Sequence, residues 1–274
     1  MKTYYIVLER SKQRAKYIQN HVNKLGLDCV KIPAVDGKYL TREDIIEECN
    51  VELVDKQRHR LTNNAIGCIL SHKLAYAKFL ETPETSAFII EDDAVLPPNI
   101  KIILDDIAKE IRADEVILLR YVSSRPADIS KIDSTKLPST NFELCFPVDV
   151  KQLISAAAYC VGREAAKGLL SANTPIEVYP DSWGYFWSKG AFTSFRVLYP
   201  SPITGKKFKS NLGRLEKGGL KAHIANFATK YNIPIIYHYL KKRRIDRAKD
   251  AEKHFTLVDR KSPISQKITS INKI

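Results

Sequence analysis

The stretch FIIEDDAV, residues 88 to 95, constrains this chain more than any other. Phe88, Ile89 and Ile90 run without a break into Glu91, Asp92 and Asp93. The apolar run reads as a buried strand, and the acids stand at its carboxyl end, where α/β sheets bind their ligands. Residues two apart in an extended chain point the same way, so Glu91 and Asp93 are expected to share a face and Asp92 to take the other. Two carboxylates on one face repel each other unless a cation sits between them. Mg2+ or Mn2+ suits such oxygen ligands, and substrate phosphates commonly complete the shell. A plainer role is also open to these acids, which is to cap the next helix or solvate a strand end.

The segments around this strand predict an α/β fold with a mainly parallel sheet. Residues 3–8 read as a first strand, and Ala15, Ile18, Val22 and Leu25 recur at helical spacing until Gly26 stops them. Residues 28–33 form a second strand, followed by the turn Ala34-Val35-Asp36-Gly37. Thr41 with Asp44 resembles a capping box. Residues 50–62 read as irregular, and a helix then carries Ile66, Leu70, Leu74, Ala77 and Leu80 on one face. Pro97-Pro98 opens another helix, and residues 115–121 are a strand. Residues 122–150 read as a long loop, 154–161 as a strand, 163–172 as a helix, 182–189 as a segment capped by Asp181, and 194–199 as the closing strand. A further helix is expected around Leu220, Ile224 and Phe227, and the last 25 residues or so read as polar and partly disordered.

The net charge of +13 is confined to one end. Residues 201–274 hold 18 Lys and Arg against 5 Asp and Glu, so the first 200 residues are neutral. This divides the chain into a first domain, 1–204, and a basic, partly helical extension, 205–274. The basic end implies an anionic surface nearby. No apolar run reaches 18 residues, so no transmembrane helix is expected, and the first residues lack the pattern of a signal peptide. The five cysteines are scattered with no C-x-x-C pair, which speaks against a disulfide framework or a zinc cluster and for a reducing, cytoplasmic setting.

The order L-E-R (8–10), A-V-D-G (34–37), I-G-C-x-L-S-H (66–72), E-D-D-A (91–94) and P-I-E-x-x-x-D (175–181) resembles glycosyltransferase family 25, the lipooligosaccharide-biosynthesis transferases related to the collagen galactosyltransferases. The resemblance covers about residues 1–200. It implies the A-type glycosyltransferase fold, a Rossmann-like sheet flanked by helices. It also implies an inverting transfer of a sugar, galactose in many members, from a uridine diphosphate sugar to a glycolipid or oligosaccharide, helped by a divalent cation, Mn2+ ahead of Mg2+.

On that template Asp93 is the metal ligand, and Glu91 and Asp92 support the metal or contact the donor. Leu8, Glu9, Arg10 and Arg14 follow the first strand, where the nucleotide is held, and the two arginines suit phosphate. Asp36 and Gly37 are placed at uracil or ribose, and His72 joins the donor-site residues. Asp181 is the expected general base and Glu177 the second choice. Trp183, Tyr185, Phe186 and Trp187 are candidates for a sugar platform or for core. Two departures stand out. Val7 replaces an Asn usual in the family, and Glu177 stands where many members have Asp.

Two other functions compete with this reading. A metal-dependent phosphohydrolase would use the same carboxylates with a second, often His-rich cluster, yet the six histidines show no ligand spacing. A nucleic-acid binder would rest on the basic tail with interleaved aromatics, and would leave the acids unexplained. The resemblance implies a nucleotide-sugar donor and a glycan acceptor as partners, and the basic end adds the anionic inner face of the inner membrane, with the protein peripheral there and no nucleic acid bound.

Overall fold

Tyr4 and Ile6 alternate with Tyr5 and Val7 along β1 (Lys2–Val7), and this alternation splits the core into two layers on opposite faces of one sheet. The computed structural model describes residues 1–57, 61–123, 126–206, 208 and 255–265. One face is covered by α1 (Lys12–Lys24) and α5 (Ile100–Glu110), which bury Ile18, Val22, Ile103 and Ile107. The other is covered by α4 (Asn63–Leu80), α6 (Arg163–Ala172) and α7 (Trp183–Ser188), which bury Tyr76, Phe79, Leu169 and Trp183.

The remaining strands are β2 (Cys29–Pro33), β3 (Ser86–Glu91), β5 (Glu115–Leu118), β6 (Ala127–Lys136), β7 (Glu143–Pro147), β8 (Ala158–Gly162), β9 (Ser194–Tyr199) and β11 (Phe255–Val258), with the short pair β4 (Ala94–Val95) and β10 (Thr204–Gly205) outside the main sheet. The nine-stranded order is β11-β6-β7-β9-β5-β8-β3-β1-β2. Following the pairings, β7 and β8 run against the other seven strands, so the sheet is parallel in its main direction, as expected. The reversed strand β8 lies between β3 and β5. Its first residues therefore arrive at the edge where β3 and β5 end, and that edge carries the acids.

Three segments differ from the sequence reading. Within residues 50–62, Val51–Lys56 forms helix α3, with the Asn50 side chain accepting a hydrogen bond from the Leu53 amide at 3.3 Å. Residues 122–150 contain the antiparallel pair β6–β7. Its strand signal is weak because the outer half of β6 is polar and a register shift falls between Ser130 and Thr135. Phe255–Val258, read as part of a polar tail, pairs in parallel with β6, and Phe255 and Leu257 pack on the core. The helix expected around Leu220 to Phe227 lies outside the described residues. The strands read over 154–161 and 115–121 are shorter, since β8 starts only at Ala158 and β5 ends at Leu118, while α2 (Arg42–Glu48) has the Thr41–Asp44 capping box as expected and Gly26 ends α1 with φ of +62°. Among the described residues no helix is long and apolar enough to cross a membrane.

Helix α4 reaches the site through a close backbone approach. A Cβ on Gly67 would lie 2.6 Å from the Val35 carbonyl oxygen and 2.8 Å from the Gly37 nitrogen. One turn on, the Ser71 hydroxyl accepts a hydrogen bond from the Val35 amide at 2.8 Å and donates to the Gly67 carbonyl at 2.6 Å. Because backbone atoms oppose Gly67, neither side has a side chain that can move away. Gly67→Ala is expected to lower unfolding free energy by about 1–3 kcal/mol, the usual range for overpacking, measured by urea denaturation.

Candidate functional site

The acids do not keep strand alternation. β3 ends at Glu91, and Asp92 and Asp93 lie in a turn before β4. Asp92 and Asp93 consequently reach the same guanidinium: Arg14 lies 2.8 Å from Asp92 and 3.6 Å from Asp93. Asp92 therefore does not take the opposite face from Asp93, and all three acids line one cleft. Arg120, just beyond β5, donates to Asp93 at 3.1 Å. Burial raises the Asp92 carboxyl to about 6, against the pull of Arg14 and with the repulsion of Glu91 and Asp93 adding to the rise. Burial also raises Asp93, reinforced by Glu91 and opposed by Arg120 and Arg14. Burial works upward on Glu91 too, but there His72, Arg120 and Arg14 prevail and hold it below the ordinary range.

Opposite the acids the cleft is walled by Leu8, Val35, Asp36, Gly37 and α4. Asp36 caps a short 3-10 turn, Gly37–Tyr39, accepting from the Lys38 amide at 3.1 Å, and also pairs with Arg10. That guanidinium holds the Asp36 carboxyl below the usual range. Arg14 lies inside the cleft and Arg10 at its rim, while Glu9 turns out to Lys31 at 3.3 Å and does not line it. Of the residues expected at the donor, Leu8, Arg14, Asp36 and Gly37 line the cleft, and Glu9 does not. Its place beyond the end of β1 leaves its side chain in solvent.

His72 is a buried residue of α4. Its Nδ1 pairs with the Tyr159 hydroxyl at 2.9 Å, and that hydroxyl pairs with Tyr76 at 2.7 Å. Its Nε2 points to Glu91 at 3.6 Å, too far for a hydrogen bond.

Asp181 does not cap α7. The cap position belongs to Ser182, which makes no side-chain cap bond. Asp181 instead accepts the Ser155 amide at 3.1 Å. Ser155 has φ of +107°, a costly conformation for a residue with a Cβ, and the indole of Trp183 donates to its carbonyl at 3.1 Å. Burial raises the Asp181 carboxyl, and Glu91 and His72 are close enough to act on it. Glu177 is elsewhere: it binds Asn50 at 2.9 Å and the Tyr185 hydroxyl in a separate hollow. The sequence interval of four residues from Glu177 to Asp181 crosses a turn, which sends the two acids apart. Trp183 and Phe186 are fully buried core, so they form no sugar platform.

Several residues in or behind the cleft receive no role from the sequence reading. Arg120 stands at the end of a predicted strand and was open to the rule that located the acids. Tyr159, buried behind the cleft, needed the fold, as did a place for Cys68, which stands in the I-G-C-x-L-S-H stretch but receives no role there. So did Phe208, which lines the mouth with its ring 5.4 Å from the Arg14 guanidinium. Next to it, the Lys206 amide donates to the Asp93 carbonyl at 2.8 Å, and its ammonium lies 3.9 Å from the centre of the Tyr17 ring. Tyr159→Phe removes a hydroxyl shared by two buried partners and is expected to cost roughly 1–3 kcal/mol in chemical denaturation.

Residues 1–183 match the family described as glycosyltransferase family 25 (LPS biosynthesis protein). A protein of Aedes aegypti named as a glycosyltransferase 25 family member is 33% identical over 103 residues, 36% of this chain and 17% of that relative. A Haemophilus influenzae protein, named provisionally as a glycosyltransferase, is 28% identical over 201 residues, 73% of this chain and 67% of the relative. Among solved structures, a Bacillus anthracis protein described provisionally as a glucose-1-phosphate thymidylyltransferase, in complex with sucrose, overlaps at 11% identity and a TM-score of 0.34, covering 75% of this chain and 89% of that one. That overlap is too loose to bear on function. The chain spans only about a sixth of the insect relatives' length. The match over most of its sheet, including the cleft segments from Leu8 to Asp93, shows that the chain belongs to glycosyltransferase family 25.

Proposed function

We propose that this chain is an inverting glycosyltransferase that moves a sugar, galactose in this reading, from a uridine diphosphate sugar to a lipooligosaccharide or related glycan. The observation that carries the reading is the convergence on one cleft of Leu8 and Arg14, the Asp36–Gly37 turn, α4 and the three acids. Nucleotide contacts are assigned to Leu8, Asp36 and Gly37, and diphosphate to Arg14, with Arg10 at the rim. Arg120 is the second cation beside the acids.

The acids fit a hard divalent cation. Their donors are all oxygen, and three carboxylates outnumber the two guanidiniums that touch them. Asp93 is the assigned ligand, with Asp92 and Glu91 in support, and Mn2+ is preferred to Mg2+. When bound, the cation offsets negative charge on the departing diphosphate.

Inversion needs the acceptor hydroxyl to attack from the face opposite the diphosphate and to lose its proton. Asp181 is the assigned base. It is shielded, lies within electrostatic reach of Glu91 and His72, and does not spend its carboxylate on a helix cap. Glu177 is tied to Asn50 and Tyr185 and is not assigned to the chemistry. One panel tests these roles, with uridine diphosphate sugars as donors, Mn2+ present or chelated, and transfer and donor hydrolysis as readouts. Asp93→Asn is expected to lose roughly 10²-fold or more in rate. Asp181→Asn is expected to lose roughly 10²- to 10⁴-fold while keeping donor affinity. Glu177→Gln should stay near wild type. Near-wild-type transfer by a folded Asp93→Asn or Asp181→Asn protein would overturn that residue's assignment.

The basic end supports a second part of the reading, peripheral docking on an anionic membrane face where a lipid-linked acceptor resides. Residues 206–249 include Lys241, Lys242, Arg243, Arg244, Arg247 and Lys249. Most of this segment lies outside the described residues, so the support is its charge: each cation near such a surface contributes roughly 1 kcal/mol, screened by salt. Co-sedimentation is expected with anionic vesicles and not with neutral ones, and to weaken as salt rises. Equal binding to both removes the docking role.

A further inference from the structure

Cys68 and His72 lie four residues apart on α4, one turn, and so present their side chains on the same face. Glu91, at the end of β3, meets that face. The Cys68 Sγ, a His72 ring nitrogen and a Glu91 oxygen all lie within 4.8 Å of one another. His72 is 2% exposed, and its Nε2 is a buried polar atom with no hydrogen-bond partner. An orphaned nitrogen in such a place is costly unless something binds it. Its nearest opposite group is Glu91 at 3.6 Å.

We propose that Cys68, His72 and Glu91 form a site for a thiophilic divalent cation of the Zn2+ class, beside the cation assigned to Asp93, with Glu91 the one acid the two sites share. Thiolate and imidazole donors select zinc over Mg2+ or Mn2+. Bonds of about 2.0–2.3 Å place neighbouring donors roughly 3.3–3.8 Å apart around a tetrahedral zinc. The His72–Glu91 pair is already at that spacing, and small side-chain rotations bring in the sulfur. All three residues line the cleft, which leaves the fourth position open to water or a bound molecule.

The shell behind His72 is already built. Zinc ligands of this type donate the second ring N–H to a fixed acceptor. With the metal on Nε2, the ring proton sits on Nδ1 and is donated to the Tyr159 oxygen, and the Tyr159 proton passes to the Tyr76 oxygen. The Cys68 thiol gives up its proton to solvent as the metal binds. Such a site would cross-link α4 to the end of β3 and neutralise one of the three crowded carboxylates. It does not depend on the glycosyl-transfer reading.

The test uses the full chain, stripped with a chelator and reloaded with Co2+ alone. One equivalent is expected to give a near-ultraviolet thiolate-to-cobalt charge-transfer band that Zn2+ displaces. Cys68→Ser should abolish the band, His72→Gln should weaken it, and Asp93→Asn should retain it. A missing band, a band that survives Cys68→Ser, or a band lost in a folded Asp93→Asn protein overturns the site. Should Cys68→Ser fail to fold, the wild-type protein still decides. Zn2+ is expected to slow alkylation of Cys68, followed by peptide mass spectrometry, and unchanged labelling refutes the proposal.

Discussion

Three carboxylates crowded at the end of a dry strand repel one another, and the cleft is arranged around that repulsion. Arg14 comes from α1 and Arg120 from the end of β5, and each guanidinium meets one or both aspartates. His72 rises from α4 beneath Glu91. Three cationic or proton-bearing groups from three elements thus converge on residues 91–93. Even so the relief is incomplete: burial and mutual repulsion keep Asp92 and Asp93 above their ordinary range. A cluster left partly uncompensated attracts cations, which is why the acids are read as a ligand site and not as a strand end. The same crowding would not arise one residue earlier, where Ile90 faces the α1 and α5 layer.

The reversed strand β8 decides what else can reach the acids. Because it runs against its neighbours β3 and β5, the loop before it, 154–157, opens onto their carboxyl edge. The Ala157 carbonyl then accepts the Glu91 amide at 2.9 Å. Ser155, in its strained conformation, is held by Asp181 on one side and Trp183 on the other. Asp181 is distant from Glu91 in sequence and near it in space through this loop. The close approach of α4 does the same on the opposite wall, with Gly67 and Ser71 locking the Asp36–Gly37 turn in place. Each wall includes a backbone-to-backbone contact, which tolerates little displacement.

Much of this architecture was legible in the chain. The central strands announced themselves as continuous apolar runs, and α1, α2, α4 and α5 by period, caps and stop signals. The misses share a cause. The outer half of β6 is polar, and α3 is a short six-residue helix that is only partly buried, so periodicity says little, and tertiary packing supplies the order. Strand β11 has only four residues and gains its place from β6 and the core. In the site, Asp92 was misplaced because strand alternation was extended one residue past the strand's end, and Glu177 because spacing along a turn gives no direction.

The sequence by itself determined the class of fold, the strand that carries the acids, and the helix motif that faces them, since burial and period are local properties written into residue type. It also determined the charge asymmetry, which depends on composition alone. Only the tertiary structure decided which acids share the cleft, that Asp181 holds Ser155 and not a helix, that Trp183 and Phe186 are core, and that Cys68, His72 and Glu91 meet. Those outcomes depend on strand order and on a loop with a residue at positive φ. Both are set by packing between segments far apart in the chain, and no local pattern of residues encodes them.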